Sequence, residues 1–374
     1  MGVPDLSVLR TRTSAKWRMH PSDALPLSIA EMDVQLAPPV AEALVGAVQR
    51  GDTGYAWADP TYGQALAGFA DRRWGWALDP DRVGLVPDVG TGAVAMLRSA
   101  APGHAVVVNP PVYPPFVDWV AEAGMRCAPV PLALDGGTWT LDLDGLERAF
   151  AAGAAAYLLC NPHNPVGRVH TPAELASVVD LARRYGVLVV SDEVHAPLTL
   201  PGAAFTPLLT VPGAAEVAVS LLSASKAFNL AGLKCAAVVS ARGGPDTASI
   251  LATSVWHCGH LGVVAGIAAF SHGDRWLDGL LDLLVERRSE LGGLLSTRLP
   301  TVSWQPPQAT YLAWTDWRAT GLADPGGALL AAGVALDPGP RFGPQGAGWM
   351  RLNFATSSAL LDEATRRMAV ALES

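Results

Sequence analysis

Five short apolar runs punctuate the middle of the chain: Ala105–Val108, Ala156–Cys160, Val187–Val190, Val217–Leu222 and Cys235–Val239. Runs of this length with little polar alternation predict strands buried on both faces of a mostly parallel sheet. Segments with helical spacing lie between them. The clearest runs from Thr171 to Tyr185. Thr171 is the predicted N-cap, Pro172 suits the first helical position, and Glu174 completes a capping box. Leu175, Val178, Val179 and Ala182 recur on one helix face, and Gly186 marks the stop. Strand and helix alternating in this way predict an α/β class.

The texture differs at the two ends. Residues 1 to 40 read as a separate piece ending in Pro38-Pro39, and after residue 280 Leu-rich helix gives way to short Gly/Pro-punctuated runs. The predicted organisation is a large domain over residues 41–280, with residues 1–40 and 281–374 forming a smaller α+β domain.

Half of the 374 residues are apolar and 16% are charged, which excludes a disordered chain. A net charge of -8 opposes a nucleic-acid footprint. The longest smooth apolar run, Leu261–Phe270, is about half of a bilayer span, and charges interrupt the N-terminus before a signal-length run forms. A cytosolic protein is expected, without nucleic-acid or membrane partners. Cys127, Cys160, Cys235 and Cys258 show no CxxC pairing and read as buried free thiols, and no metal site is expected.

The lysine census changes the picture. Lys16, Lys226 and Lys234 are the only lysines, whereas arginine is plentiful. A Schiff base needs a primary amine that can lose its proton, which arginine cannot supply. In open α/β sheets ligands bind at the carboxyl ends of strands. Three polar motifs follow three successive apolar runs there: Asn161-Pro-His-Asn-Pro-Val-Gly-Arg168, Ser191-Asp-Glu-Val-His195 and Ser223-Ala-Ser-Lys226. Taken singly, each is ordinary: a solvated lysine, a solvated acid pair, a turn. Together they bring an amide, a carboxylate and an amine to one rim.

That set matches the needs of pyridoxal 5'-phosphate (PLP), which requires a lysine, an acid beside its ring nitrogen, donors to its phenolic oxygen and a phosphate cradle. Lys226 suits the first role, Asp192 the second and Asn164 the third. Ser223 and Ser225 offer phosphate hydroxyls, and Lys234 a charge. Val89-Gly90-Thr91 precedes a helical pattern over Gly92–Arg98, so backbone N–H groups at Gly90 and Thr91 are candidate phosphate donors.

The ordered motifs, continuing through Ser-x-Ser-Lys-x-Phe-Asn-x-x-Gly-Leu to Arg351-Leu-Asn-Phe354, resemble the fold-type I PLP enzymes of the class I/II aminotransferase superfamily over nearly the whole chain. Within it the sequence is similar to the cystathionine β-lyase (C–S lyase) branch, through Ala15-Lys-Trp17, Ile29-Ala-Glu-Met-Asp33, Gly54-Tyr55, Pro110-Pro-Val-Tyr113 and Ala309-Thr-Tyr-Leu312. The resemblance implies an aspartate aminotransferase-like large domain with a seven-stranded sheet. It implies Lys226 as the Schiff-base lysine, Asp192 as the pyridinium partner, and Asn164 and His195 on the ring's oxygen side. Tyr113 would stack on the cofactor, and Tyr55 would reach a neighbouring subunit's phosphate in a homodimer with shared sites. Arg351 would clamp the carboxylate of an amino-acid substrate, near main chain offered by Ala30. Core packing for the two tyrosines and a structural ion pair for Arg351 are the plainer alternatives. The chain departs from the branch at Pro197, at Glu31, and in Asp337-Pro-Gly-Pro-Arg-Phe342, which carries an added Pro and Arg.

The reaction implied is β-elimination from L-cystathionine or another cysteine thioether. An aminotransferase on the same scaffold and a non-catalytic PLP-binding protein are the competing readings.

Overall fold

The computed structural model describes residues 2–100 and 103–373. The five apolar runs form the inner part of a seven-stranded sheet. Its strands are β1 (Val83–Val86), β2 (Ala105–Val108), β3 (Arg126–Pro129), β4 (Ala154–Cys160), β5 (Leu188–Asp192), β6 (Ala218–Leu222) and β7 (Ala236–Val239). Their order across the sheet is β1-β7-β6-β5-β4-β2-β3, and only β7 runs against the rest. The strands β4 to β7 are almost wholly buried, as expected where helices cover both faces. At the edge, β3 is largely exposed. Cys127 lies on it and is exposed, contrary to the sequence reading. Cys160 and Cys258 are buried and Cys235 half-buried, all four being free thiols.

Helices α1 (Pro38–Gln49), α2 (Val89–Ser99), α3 (Pro172–Tyr185), α4 (His260–His272) and α5 (Asp274–Arg298) matter for the site. The predicted capping box opens α3: Thr171 Oγ1 accepts from Glu174 N at 3.2 Å, and Glu174 Oε2 accepts from Thr171 N at 2.7 Å. Gly186, at φ 67°, closes it. Two other starts differ from the sequence reading. Pro38-Pro39 begins α1 rather than ending the segment before it, because the first helical positions need no N–H partner. α2 begins at Val89, not Gly92. Asp88 caps it, its carboxylate accepting from Thr91 N at 2.8 Å and so winding the glycine stretch into the first turn.

A second, antiparallel sheet contains β8 (Ser303–Trp304), β9 (Leu312–Asp316), β10 (Asp337–Pro338) and β11 (Trp349–Asn353) in the order β8-β9-β11-β10. Leu25–Pro26 pairs in parallel with Val334–Ala335, tying the N-terminal arm to this part of the chain. Position 40/41 falls inside α1 and position 280/281 inside the 25-residue α5. One hydrophobic cluster runs from Leu9 and Leu25 through Val40, Phe270 and Leu284 to Leu352, so the apolar interior is continuous across both positions. The Leu261–Phe270 run is the core of α4. Among the described residues no single helix is long and apolar enough to cross a membrane.

Register places the chemistry. Cys160 on β4 lies opposite Asp192 on β5, and Asp192 lies opposite Leu221 on β6. The three polar motifs therefore emerge side by side at the carboxyl end of the sheet.

Candidate active site

A cavity of about 300 Å³ opens at this edge. Of the residues singled out by sequence, Ala30, Gly90, Tyr113, Asn164, Asp192 and His195 line it, as do Ser223, Ser225, Lys226 and Lys234. Lys226 Nζ donates to the Ala30 carbonyl at 3.2 Å. Burial, then the Arg351 charge, lowers its pKa to about 8. A lysine so shifted keeps a useful fraction of neutral, nucleophilic amine near pH 7.

The Asp192 carboxylate accepts from Val194 N at 3.1 Å, and burial pushes its pKa up to about 7. A cation beside it would draw it back to the ionised form. His195 is forced the other way, to about 3, by burial and then by Lys226 and Arg351, so its ring is neutral. Its Nδ1 is buried without a hydrogen-bond partner. Tyr113 stands edge-on to Trp119 at 5.9 Å, and burial raises its phenol.

Arg351 lies on β11 and is only 3% exposed. Its Nη1 donates to Asn164 Oδ1 at 3.0 Å, and its Nη2 to the Ser28 carbonyl at 2.9 Å and Asp337 Oδ2 at 2.8 Å. The guanidinium lies 4.9 Å from the Phe342 ring centre, and Nε has no partner. The clamp expected from sequence thus touches the amide expected at the cofactor's oxygen.

The phosphate end is more crowded than the sequence implies. Ser223 Oγ donates to the Cys235 carbonyl at 2.7 Å and accepts from Ser225 N at 3.1 Å. Lys234 Nζ sits 2.9 Å from Asp88 Oδ2. Thr91 turns its N–H and hydroxyl to Asp88 and stands outside the cavity lining, whereas Gly90 remains in it. A Cβ on Gly90 would come within 2.6 Å of the Trp119 indole, so only glycine leaves this wall open. Tyr55 is 81% exposed, packed edge-on against Trp256 at 6.2 Å, and contributes nothing to this chain's own cavity.

These residues fit PLP. The amine is shifted toward its neutral form, the buried acid needs a cation, the imidazole nitrogen lacks a partner, and a glycine clears the phosphate wall.

Sequence reasoning missed Asp88, Trp119 and the role of Asp337. The cap spacing of Asp88 before Thr91 was a usable signal. It also missed the density of bonds on the segment 28–33. The Ala30 carbonyl accepts from Lys226 and, at 2.9 Å, from the Tyr311 hydroxyl. Asn353 Nδ2 donates to the Ile29 carbonyl at 2.7 Å and the Glu31 carbonyl at 2.6 Å, and Asn229 bonds both the N–H and the carbonyl of Met32. Lys16 pairs with Asp33 at 2.8 Å.

Glu193 lies outside the cavity lining, accepting from Ser191 Oγ and Leu208 N, each at 3.0 Å. Burial raises its carboxyl to about 7 from the ordinary 4.5. The stability gained by holding that proton is complete below the unfolded value and is lost as pH rises through about 7. Glu193→Gln removes the titration. Its thermal stability is expected to gain on the natural chain as pH rises from about 4.5 to about 7, by up to about 3 kcal/mol, and to keep that gain above pH 7. Melting curves across that range check it, and a pH-independent difference would contradict the assignment.

Lys226 and Asp192 line one cavity at the carboxyl end of the sheet, and Arg351 is bonded to Asn164 in its wall. The sequence matches the aminotransferase class I and II family over residues 22–368, and the chain belongs to that family. A Mycobacterium leprae protein, provisionally named a cystathionine beta-lyase, is 48% identical over 390 residues, covering 97% of this chain and 96% of its own. Cystathionine beta-lyase PatB of Bacillus subtilis is 35% identical, with 94% and 93% covered. The crystal structure of cystalysin from Treponema denticola, which contains pyridoxal 5'-phosphate, superposes with a TM-score of 0.90 at 26% identity, covering 97% of both chains.

Proposed function

We propose that the protein cleaves the C–S bond of L-cystathionine or another cysteine thioether by β-elimination, releasing a thiol, pyruvate and ammonia. It is a PLP-dependent enzyme of the carbon–sulfur lyase class, like its full-length relatives. The observation that carries the reading is the convergence of Lys226, Asp192 and Asn164 on one cavity, with Arg351 hydrogen-bonded to Asn164.

Bound there, PLP supplies an electron sink for the pair left at Cα when its proton departs. Lys226 is the base that takes this proton, its lowered pKa suiting both removal and later return. Asp192 holds the proton on the ring nitrogen as its counter-ion. Asn164 links the ring's oxygen side to Arg351, which receives the substrate α-carboxylate. Tyr113 would stack on the ring and the neutral His195 would lie on its oxygen side, both walling the cavity against water. The departing thiolate takes up a proton, and water converts the remaining three-carbon fragment to pyruvate and ammonia.

The test is incubation of the PLP-loaded protein with L-cystathionine and a panel of S-substituted cysteines, following pyruvate and free thiol. Their absence across the panel, with keto-acid-dependent amino transfer in its place, overturns the lyase reading in favour of an aminotransferase.

A homodimer belongs to the same proposal. Tyr55 (81% exposed), Trp57 (65%) and Trp256 (45%) form one aromatic patch, with edge contacts at 6.2 and 5.5 Å. A second copy covering it would bring Tyr55 to the partner's phosphate end. Sedimentation is expected to give twice the chain mass, and Tyr55→Phe a several-fold weaker hold on PLP. A monomeric mass would remove the role given to Tyr55. Action in the cytosol completes the proposal.

A further inference from the structure

The carboxylate of Asp88, itself part of the cavity lining, sits where an anionic ligand would be received. Its Oδ1 accepts from Thr91 N at 2.8 Å and from the Thr91 hydroxyl at 2.9 Å, and its Oδ2 from Lys234 Nζ at 2.9 Å. A backbone N–H at a helix start, a hydroxyl and an ammonium thus converge on one anion, as they would on a phosphate. Two of these donors, the Thr91 N–H and Lys234, are ones that the sequence assigns to the cofactor's phosphate. Ser223 does not replace them, since its hydroxyl proton goes to the Cys235 carbonyl.

Charge makes the competition sharper. Among the cavity-lining residues Lys226 and Lys234 are the only lysines or arginines. Lys226 is claimed by the cofactor's aldehyde, so Lys234 alone is left for a group that carries nearly two negative charges at neutral pH. Asp88 already neutralises it. Burial opposes the charge on Asp88, but the Thr91 N–H, the Lys234 amine and the Thr91 hydroxyl outweigh burial and hold the carboxyl below its ordinary range, so it is anionic near pH 7. It is also anchored: as the cap of α2 its Oδ1 stays beside the first turn. The link to Lys234 is looser, the two side chains being 42% and 59% exposed, and an ion pair so exposed is weak enough for a ligand to open.

We propose that Asp88 sets the affinity for the cofactor, as an internal anion that competes with the phosphate of PLP for Lys234 and the Thr91 donors and so keeps the cofactor exchangeable. The inference rests on PLP lying with its phosphate at this end of the cavity, and not on the lyase reaction.

PLP and pyridoxal differ only by the phosphate, so their dissociation constants for the cofactor-free protein, measured by equilibrium dialysis, isolate the effect. Asp88→Asn keeps an oxygen for Thr91 N and caps a helix as well as aspartate does, but it removes the charge. It is expected to bind PLP about five- to tenfold more tightly than the natural chain, with pyridoxal unchanged. Asp88→Ser, a second capping residue without charge, is expected to shift PLP in the same direction. Lys234→Met is expected to weaken PLP several-fold and leave pyridoxal alone. PLP binding that is unchanged or weaker in both Asp88 variants overturns the proposal, as does an equal gain for pyridoxal. If Lys234→Met leaves PLP binding untouched, the placement of the phosphate fails, and the competition fails with it. Every readout is binding, so the outcome stands apart from whether thioethers are cleaved.

Discussion

Lys226→Ala leaves a folded protein whose turnover of any thioether falls by at least about 10⁴-fold. The magnitude follows from the lack of a substitute amine. Lys16 is 1% exposed and ion-paired to Asp33, and Lys234 is paired with Asp88. Burial, then Arg351, gives Lys226 its lowered pKa. The arginines cannot form the covalent link at all. Folding should survive, because the lysine's contact is a single bond to the Ala30 carbonyl rather than a core position. Borohydride is expected to fix PLP to the natural chain and not to the variant, read by intact mass alongside the pyruvate assay. Turnover that persists in the variant would remove Lys226 from the reaction.

Asp192→Asn comes next, with kcat expected to fall about 10²–10³-fold. The substitution is nearly isosteric and keeps an oxygen for Val194 N, so the wall retains its shape. What disappears is the negative charge opposite the ring nitrogen. In a fully buried site no water replaces it, and the same burial that raises this carboxyl to about 7 magnifies the loss. PLP affinity should weaken in parallel, because a buried anion that welcomes a cation becomes a neutral amide. Equilibrium dialysis of PLP and single-turnover rates separate the two effects. A variant with natural kcat and weakened binding alone would assign Asp192 to cofactor retention only.

The sheet and the rim of the site were legible for a common reason. Strands such as β4 and β5 are buried on both faces, so they stay apolar until their carboxyl ends, where Ser191 and Asp192 close β5 and Asn161 follows β4. The first polar residues after each run, Asn161 and Asp192 with their neighbours, therefore mark the functional edge. The α3 helix was legible because its cap, its stripe and its stop agree. The start of α2 was not. Glycines at positions 90 and 92 look like a loop until Asp88 is seen to cap them, and close approach to Trp119 and Val238 is what requires them small. Asp337 was noticed as part of an odd stretch, but its pairing with two arginines depends on β10 lying beside β11, a long-range contact with no local signature.

The backbone of residues 28–33 is gripped from both halves of the molecule, by Lys226 and Asn229 on one side and Tyr311, Arg351 and Asn353 on the other. Most of these bonds end on carbonyl oxygens, which every amino acid supplies. The grip on the backbone of Ile29, Ala30 and Glu31 therefore survives a change of side chain, and an alanine scan would register chiefly the buried Met32 and the Asp33 that pairs with Lys16. The importance of that grip would surface only under chemistry that edits the main chain itself. An ester in place of the amide after Ala30, introduced by semisynthesis, weakens that carbonyl as an acceptor and should loosen the lysine and the tyrosine together.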